Sequence, residues 1–432
     1  MKRKRINDLL EWKEKYADRP LILMGAKGVG KTYLANDFAK AFYSRSIYVN
    51  FESNLDLQDL FESDRIQTCM ERLLLLSATH PNAGRKEENE KEPILLILDE
   101  ISYCPSFMEK INEWMKVDPP FHILAITSQR YEEYENTAIF YPLYLYPLNF
   151  EEFLTAIGKE WYVESIRTHF ISNKKLPDIV HRELLDLFED YLQIGGMPSA
   201  INEFINTEGK YNIWEQHRIL SDAYLWYAKK HTDEGEGLKI SQVYNIMDKQ
   251  LIKENRKFQY SFIRKGATQA MYAEAVQYIT DTFYGMRCNK LEDQALEITS
   301  EREITTHLLP QYKLYMQDVG MLNSSLMQIL DKHPDQIRKG IIENYVAQTL
   351  YSNGYQLYYW ESSSQAKIDF LLYKDERILP IEVKTGMITR SKNLSVLKSK
   401  CPHIEESIKI STRNFEYSNH IKYVPIYAVF CI

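Results

Sequence analysis

Gly25-Ala26-Lys27-Gly28-Val29-Gly30-Lys31-Thr32 follows the apolar run Leu21 to Met24 and leads into the helix-like stretch Tyr33 to Lys40. This is the G-x-x-x-x-G-K-[ST] pattern, set between a strand and a helix as its chemistry requires. The glycines let the backbone curl so that successive N–H groups face one anion at the positive end of a helix. In such a loop Lys31 reaches the β- and γ-phosphates, and the Thr32 hydroxyl joins the shell of a Mg²⁺ ion. Residues Gly25 to Thr32 are therefore the expected contacts of a nucleoside triphosphate, with ATP and Mg²⁺ as the cofactors.

Around this loop the chain alternates strand and helix signals. Ser46 to Phe51 is rich in β-branched and aromatic residues and predicts a second strand. Leu55 to Ser77 carries apolar residues at helical spacing, and the polar run Thr79 to Glu92 reads as an exposed loop. Ile94-Leu95-Leu96-Ile97-Leu98-Asp99-Glu100 is a strand buried on both faces that ends in two acids. The carboxyl end of such a strand is where open α/β sheets bind ligands. There Asp99 would hold Mg²⁺ and Glu100 would polarise an attacking water. Adjacent Asp-Glu fits a hydrolase and leaves a nucleotide kinase as the weaker reading.

A further buried strand, His122 to Ser128, ends in two hydroxyls. Thr127 or Ser128 would touch the γ-phosphate or the lytic water, or simply satisfy a strand end. Arg130 is either a solvated charge or a phosphate contact. Tyr141 to Leu148 predicts an edge strand, and Asn149 to Phe153 opens a helix with an N-cap and early acids.

The chain is long enough, at 432 residues, for two or three domains, with an ordinary globular composition of 44% hydrophobic and 26% charged residues. A net charge of -7 excludes a wholesale nucleic-acid coat but leaves room for a local basic patch. Its five cysteines form no CxxC pair, which excludes a zinc-finger or disulfide framework and predicts a reducing compartment. The basic start Met1 to Arg5 precedes an amphipathic stretch and not an apolar core. No signal peptide or membrane span is expected, and the predicted location is cytoplasmic.

Gly25 to Thr32, Ile94 to Glu100, the strand ending at Ser128 and Pro147-Leu148-Asn149-Phe150-Glu151-Glu152-Phe153 stand in the order found in one group of AAA+ proteins. The chain resembles the prokaryotic AAA+ ATPases that carry a C-terminal domain of uncharacterised function. Tyr191-Leu192-Gln193-Ile194-Gly195-Gly196-Met197-Pro198 is similar to that group's lid signature, and Tyr312 to Leu322 to its later hallmark. The resemblance implies an α/β P-loop NTPase core with an AAA+/ASCE-type parallel sheet, a helical lid, and a helical or winged-helix middle region. Tyr260 to Ala267 and the helix through Phe283 are similar to the winged-helix segment, with Arg264, Lys265 and Arg287 as its basic residues. Where the group carries Gly-Arg before the tyrosine-rich strand, this chain reads Ala138-Ile139-Phe140, so no arginine finger is assigned.

The last hundred residues carry a second constellation. Gly340 to Tyr351 predicts an amphipathic helix, Gln356 to Trp360 a strand, and Ile368 to Lys384 a hairpin. Glu382 and Lys384 share a strand face, and Asp369 meets them from the neighbouring strand. Two carboxylates and a lysine are what metal-dependent phosphodiester cleavage needs, although an exposed charged hairpin would read the same way. The set resembles the PD-(D/E)xK nuclease core, which adds Glu343 as a further metal ligand and implies a restriction-nuclease-like α/β domain. Lys367 would pair with Asp369 or contact a phosphate. Arg390, Lys392, Lys398 and Lys400 suit a phosphate backbone or solvent equally.

The expected organisation is an ATPase core over 1–160, a lid over 161–205, a helical or winged-helix region over 206–333 and the nuclease-like domain over 334–432. The expected function is Mg-ATP hydrolysis coupled to that domain acting on DNA or RNA. The alternative is an ATP-dependent switch whose C-terminal domain does not cut and docks a protein partner, with self-association as a further possibility.

Overall fold

The computed structural model describes the chain except residues 55–65, 80–91, 105, 117–120, 137, 208–211, 299, 328–333, 363–365, 375 and 388–391. Most of the expected polar loop after Thr79, and Arg390, lie outside the described residues. Two compact units emerge. One is Met1–Tyr146 with Asp281–Phe283, and the other is Pro147–Thr280 with Tyr284–Ile432.

The first unit is built on five strands, β1 (Leu21–Met24), β2 (Ser46–Asn50), β3 (Ile94–Asp99), β4 (Phe121–Thr127) and β5 (Tyr141–Tyr144), in the order β2-β3-β4-β1-β5. All four pairings are parallel. Every residue of β1 and β3 is buried, which is why both read as uninterrupted apolar runs in the sequence. The helices Ile6–Lys15 and Lys31–Phe42 bury Leu9, Trp12, Leu34, Ala35 and Phe38. In this order β4 lies between β1 and β3, as expected of the AAA+ type of sheet, and the carboxyl ends of all three converge. Gly25 is fixed by close approach, since a Cβ there would lie 2.1 Å from the Leu145 carbonyl oxygen.

The second unit holds an eight-stranded mixed sheet. Its strands are β6 (Gly285–Leu291), β7 (Leu308–Met316), β8 (Leu357–Glu361), β9 (Lys367–Lys374), β10 (Arg377–Val383), β11 (Ser407–Ser411), β12 (Glu416–Ser418) and β13 (Ile421–Pro425). They run in the order β12-β13-β11-β10-β9-β8-β6-β7. The expected helical character of 206–333 is therefore interrupted. β6 pairs antiparallel with β7 and parallel with β8, so one sheet crosses the boundary expected at 334. The polar alternation of Arg287, Asn289 and Lys290 in β6 hid this strand, because those side chains are only partly buried at the sheet surface.

The helix Pro334–Ser352 departs from the amphipathic expectation. It is buried without interruption from Gly340 to Leu350, including Glu343, Asn344, Gln348 and Thr349. Its polar residues replace solvent with fixed partners. Asn344 brackets the Met316 backbone at 2.8 and 3.0 Å, and the Gln348 carbonyl accepts from the Val319 N–H at 2.8 Å. Burying polar groups is tolerated when each is bonded in this way.

The two stretches that carried the lid and hallmark resemblance meet inside this unit. The Asp318 carboxylate caps the helix Val319–Leu326 by accepting from the Met321 N–H at 3.0 Å, and its other oxygen accepts from the Gly196 N–H at 2.6 Å. Gly195 has φ +73°, and a Cβ on it would lie 2.2 Å from Asp318 Oδ1. Burial pushes the Asp318 carboxyl up to about 6 despite these backbone donors.

Candidate nucleotide site and C-terminal ion cluster

In the first unit the loop after β1 turns through Gly28 and Gly30, at φ +85° and +94°, a backbone shape that favours glycine. It delivers Lys31 to the helix start, where the side chain is buried. The ammonium donates to the carbonyls of Gly25 at 2.7 Å and Ala26 at 3.0 Å, and to Ser128 Oγ at 3.0 Å. Burial lowers Lys31 to about 8, against the opposing pull of Glu100 and Asp99. Thr32 Oγ1 donates to Asp99 Oδ2 at 2.7 Å, closing the gap between the loop and the end of β3.

Glu100 has left-handed backbone, φ +53°, as the cap of the 3-10 turn Ile101–Tyr103. A non-glycine residue held there is a strained feature of the kind that gathers at functional sites. Its side chain accepts from Ser128 Oγ at 3.2 Å and pairs with Lys27 at 3.8 Å. Burial raises the Glu100 carboxyl above its ordinary value, more than Lys31 and Lys27 lower it. The two hydroxyls at the end of β4 have different partners. Thr127 Oγ1 serves the backbone of Gln129, and Ser128 joins the cluster. Arg130 instead forms a two-pronged pair with Glu135 at 2.6 and 2.7 Å.

Three participants, Tyr48, Glu52 and Tyr103, escaped the sequence. Tyr48, on β2, donates to Asp99 Oδ2 at 2.7 Å. Lys27 also pairs with Glu52 at 3.5 Å, and Tyr103 donates to Glu52 at 2.9 Å. The register of β2 on β3 sets Asn50 opposite Asp99, and the strand alternation puts Tyr48 on that same face. That signal was present but needed the strand order to be known. The Thr32 hydroxyl and Asp99 carboxylate are hard oxygen donors beside a phosphate loop, a set that fits Mg²⁺.

In the second unit the expected metal set is not assembled. Among the described residues no three His, Cys, Asp or Glu side chains group to hold a metal ion. Glu343 is instead saturated by cations. Lys313 and the Tyr315 hydroxyl donate to Oε1 at 2.8 and 2.6 Å, and Arg256 pairs with Oε2 at 2.8 Å. This holds the Glu343 carboxyl well below the usual range, to about 2, although burial opposes it. Asp369 faces this cluster and accepts from the Val383 N–H at 2.8 Å. Burial and the charge of Glu343 push it up to about 6. Glu382 is fully buried and turned to other partners, Lys384 at 3.0 Å, Lys409 at 3.5 Å and the Asn393 amide at 3.0 Å. Lys367 pairs weakly with Glu361 at 3.9 Å, not with Asp369. Of the carboxylates expected to share one metal, Glu343 and Glu382 are paired with fixed cations and Asp369 accepts a backbone N–H.

A family profile described as an AAA domain matches residues 17–154. Together with the parallel sheet and the phosphate loop, this match supports a P-loop AAA-type ATPase domain over that stretch. Two profiles described as domains of unknown function, DUF8612 and DUF4143, match residues 185–332 and 338–429. Among solved structures the chain is similar to a Walker-type ATPase of Pyrococcus abyssi, at 12% identity and TM-score 0.41 over 74% of this chain and 94% of that one. A STAND protein with a tetratricopeptide repeat sensor from Pyrococcus horikoshii aligns at 13% identity and TM-score 0.28, over 82% of this chain and 45% of that one. PCH-2 of C. elegans aligns at 17% identity and TM-score 0.28, over 46% and 57%. Comparison with curated proteins gives no match. Among the described residues no helix is long and apolar enough to cross a membrane.

Proposed function

We propose that the chain hydrolyses ATP with Mg²⁺ as cofactor, and that its C-terminal module is a docking element that holds a partner without cutting it. The Thr32–Asp99 hydrogen bond carries the first half of this reading. It sets one hydroxyl and one carboxylate side by side at the mouth of the phosphate loop, where a phosphate-bridging ion needs its protein oxygens. Bound Mg²⁺ would neutralise charge on the β- and γ-phosphates. Loop N–H groups and the Lys31 ammonium would hold the same phosphates. Glu100 would then orient water for in-line attack and accept its proton, with Ser128 holding the carboxylate in place.

The Glu343 ion pairs support the second half. Nuclease chemistry would need Glu343 to release those cations and join Asp369 on a metal, at the cost of stranding Lys313 and Arg256. Phosphate release from ATP, measured for wild type, Lys31→Ala and Glu100→Gln, tests the ATPase. A Mg²⁺- or Mn²⁺-dependent cleavage assay with Asp369→Ala tests the C-terminal half. Turnover in wild type that both loop and Glu100 variants lose is expected, with no cleavage in any sample. Metal-dependent cleavage lost in Asp369→Ala would restore the nuclease reading.

A further inference from the structure

Beside the Glu343 cluster the second unit opens a cavity of about 1010 Å³. Its lining is unusual for a chain of net charge -7. Lys253, Arg256, Lys339, Lys367 and Lys384 face it as cations. The carboxylates on the wall are Glu254, Glu343 and Asp369; Glu343 is paired with Lys313 and Arg256, and Lys384 is paired with Glu382 behind the wall at 3.0 Å. Lys339 is exposed on the helix Pro334–Ser352, and Lys367 has a side chain 45% exposed and, among the described residues, a distant ion pair with Glu361 at 3.9 Å. Asn255, Gln259 and Thr385 add polar groups to the wall. Arg256 sits in left-handed backbone, φ +49°, which turns its guanidinium into the cluster.

We propose that this cavity binds the phosphoryl groups of a ligand without a divalent metal, Lys339 and Lys367 supplying the charge that a metal would otherwise bring and the paired Arg256 and Lys384 adding N–H donors to the wall. The inference rests on the non-cutting reading of this module and adds the ligand's chemical class. Guanidinium and ammonium donors are the side chains suited to phosphate oxygens. A cavity of this size matches a nucleotide-sized group and exceeds what one phosphate ion fills. Two sources share this chemistry, a stretch of single-stranded nucleic acid and a free phosphate ester.

The test uses the full-length protein in EDTA. A labelled, hydroxyl-ended single-stranded oligonucleotide is followed by fluorescence anisotropy, and inorganic phosphate is titrated by calorimetry with excess ADP filling the phosphate loop. Wild type is compared with Lys339→Glu/Lys367→Glu and with the charge-keeping Lys339→Arg/Lys367→Arg. The proposal expects metal-free binding that weakens at least tenfold on charge reversal and survives in the arginine pair. For a strand, the salt slope falls by about 0.7 per lost phosphate contact. Strand binding identifies nucleic acid as the source, and phosphate binding alone identifies a free ester. Binding of neither probe, binding only with added metal, or indifference to charge reversal overturns the site while leaving the ATPase and non-cutting readings intact. Strand that is held in EDTA and cut when Mn²⁺ is added keeps the anion site and removes the non-cutting reading.

Discussion

Tyr48 Oη stands 2.7 Å from Asp99 Oδ2, the same oxygen that accepts from Thr32. The carboxylate is thus aimed by a side chain from β2 before any ion arrives. Outer partners of a metal ligand typically govern affinity by about 10–100-fold. Tyr48→Phe is expected to raise the Mg²⁺ concentration for half-maximal ATP turnover by about tenfold, with maximal turnover little changed. A Mg²⁺ titration of phosphate release at saturating ATP reads this directly.

Glu100→Gln keeps the shape of the site and removes its base. Turnover should fall by about 10²- to 10⁴-fold, the usual reach of a positioned general base. ATP binding should persist, and equilibrium binding of a fluorescent nucleotide separates the two effects. Equal loss of binding and turnover would move Glu100 from catalysis to architecture.

Lys31 titrates from about 8 in the folded chain, below the 10.5 of a free lysine. The unfolded chain therefore binds more protons between these values, and Lys31 adds stability as pH rises from about 8 to 10.5. Nucleotide binding has the opposite dependence. Phosphate favours the charged ammonium, so above about pH 8 binding must take up a proton, and affinity should fall by up to tenfold per pH unit. Calorimetry in buffers of different ionisation enthalpy measures that uptake, and Lys31→Ala should abolish it.

Asp318 serves Gly196 and Met321 at once, and Gly320 lies where a Cβ would come within 2.5 Å of the Ile194 carbonyl. Asp318→Ala should lower stability by about 2–4 kcal/mol through two stranded buried donors. Gly320→Ala should lower it by about 1–3 kcal/mol through overpacking. Denaturant unfolding of the full chain tests both, and intact stability in either variant would detach these stretches from the core.

Glu343, Lys313 and Arg256 form a buried group whose parts stabilise one another. Glu343→Gln alone should cost about 3–5 kcal/mol, since it leaves two cations uncompensated. Lys313→Met with Glu343→Met should cost less than the sum of the two single changes, the sign of coupling in a double-mutant cycle. Additive losses would mean that the two side chains act independently.

The nucleotide site was legible because its chemistry is local. Lys31 and Thr32 are neighbours in one loop, Asp99 and Glu100 end one buried strand, and Ser128 ends the strand between. Tyr48 was not legible, since its role depends on β2 lying beside β3. The ion pairs of the C-terminal cluster were not legible for the same reason at longer range. Glu343 gains its meaning from residues 30 and 87 positions earlier, Lys313 and Arg256. No pattern within the helix announces them. Likewise Asn344, Gln348 and Thr349 looked like a solvent face because polarity in a sequence does not say whether water or protein answers it.

The sheet that runs from β7 to β12 also limits how this chain can be divided. A fragment beginning at residue 334 would keep β8 but lose its parallel neighbour β6, leaving a raw edge of unpaired backbone that invites pairing with another chain. A gene fusion or exchange that treats the last hundred residues as a cassette would carry six of the eight strands and leave β6 and β7 behind. The heritable unit here begins no later than Gly285, so the middle and the end of the chain are bound to travel together.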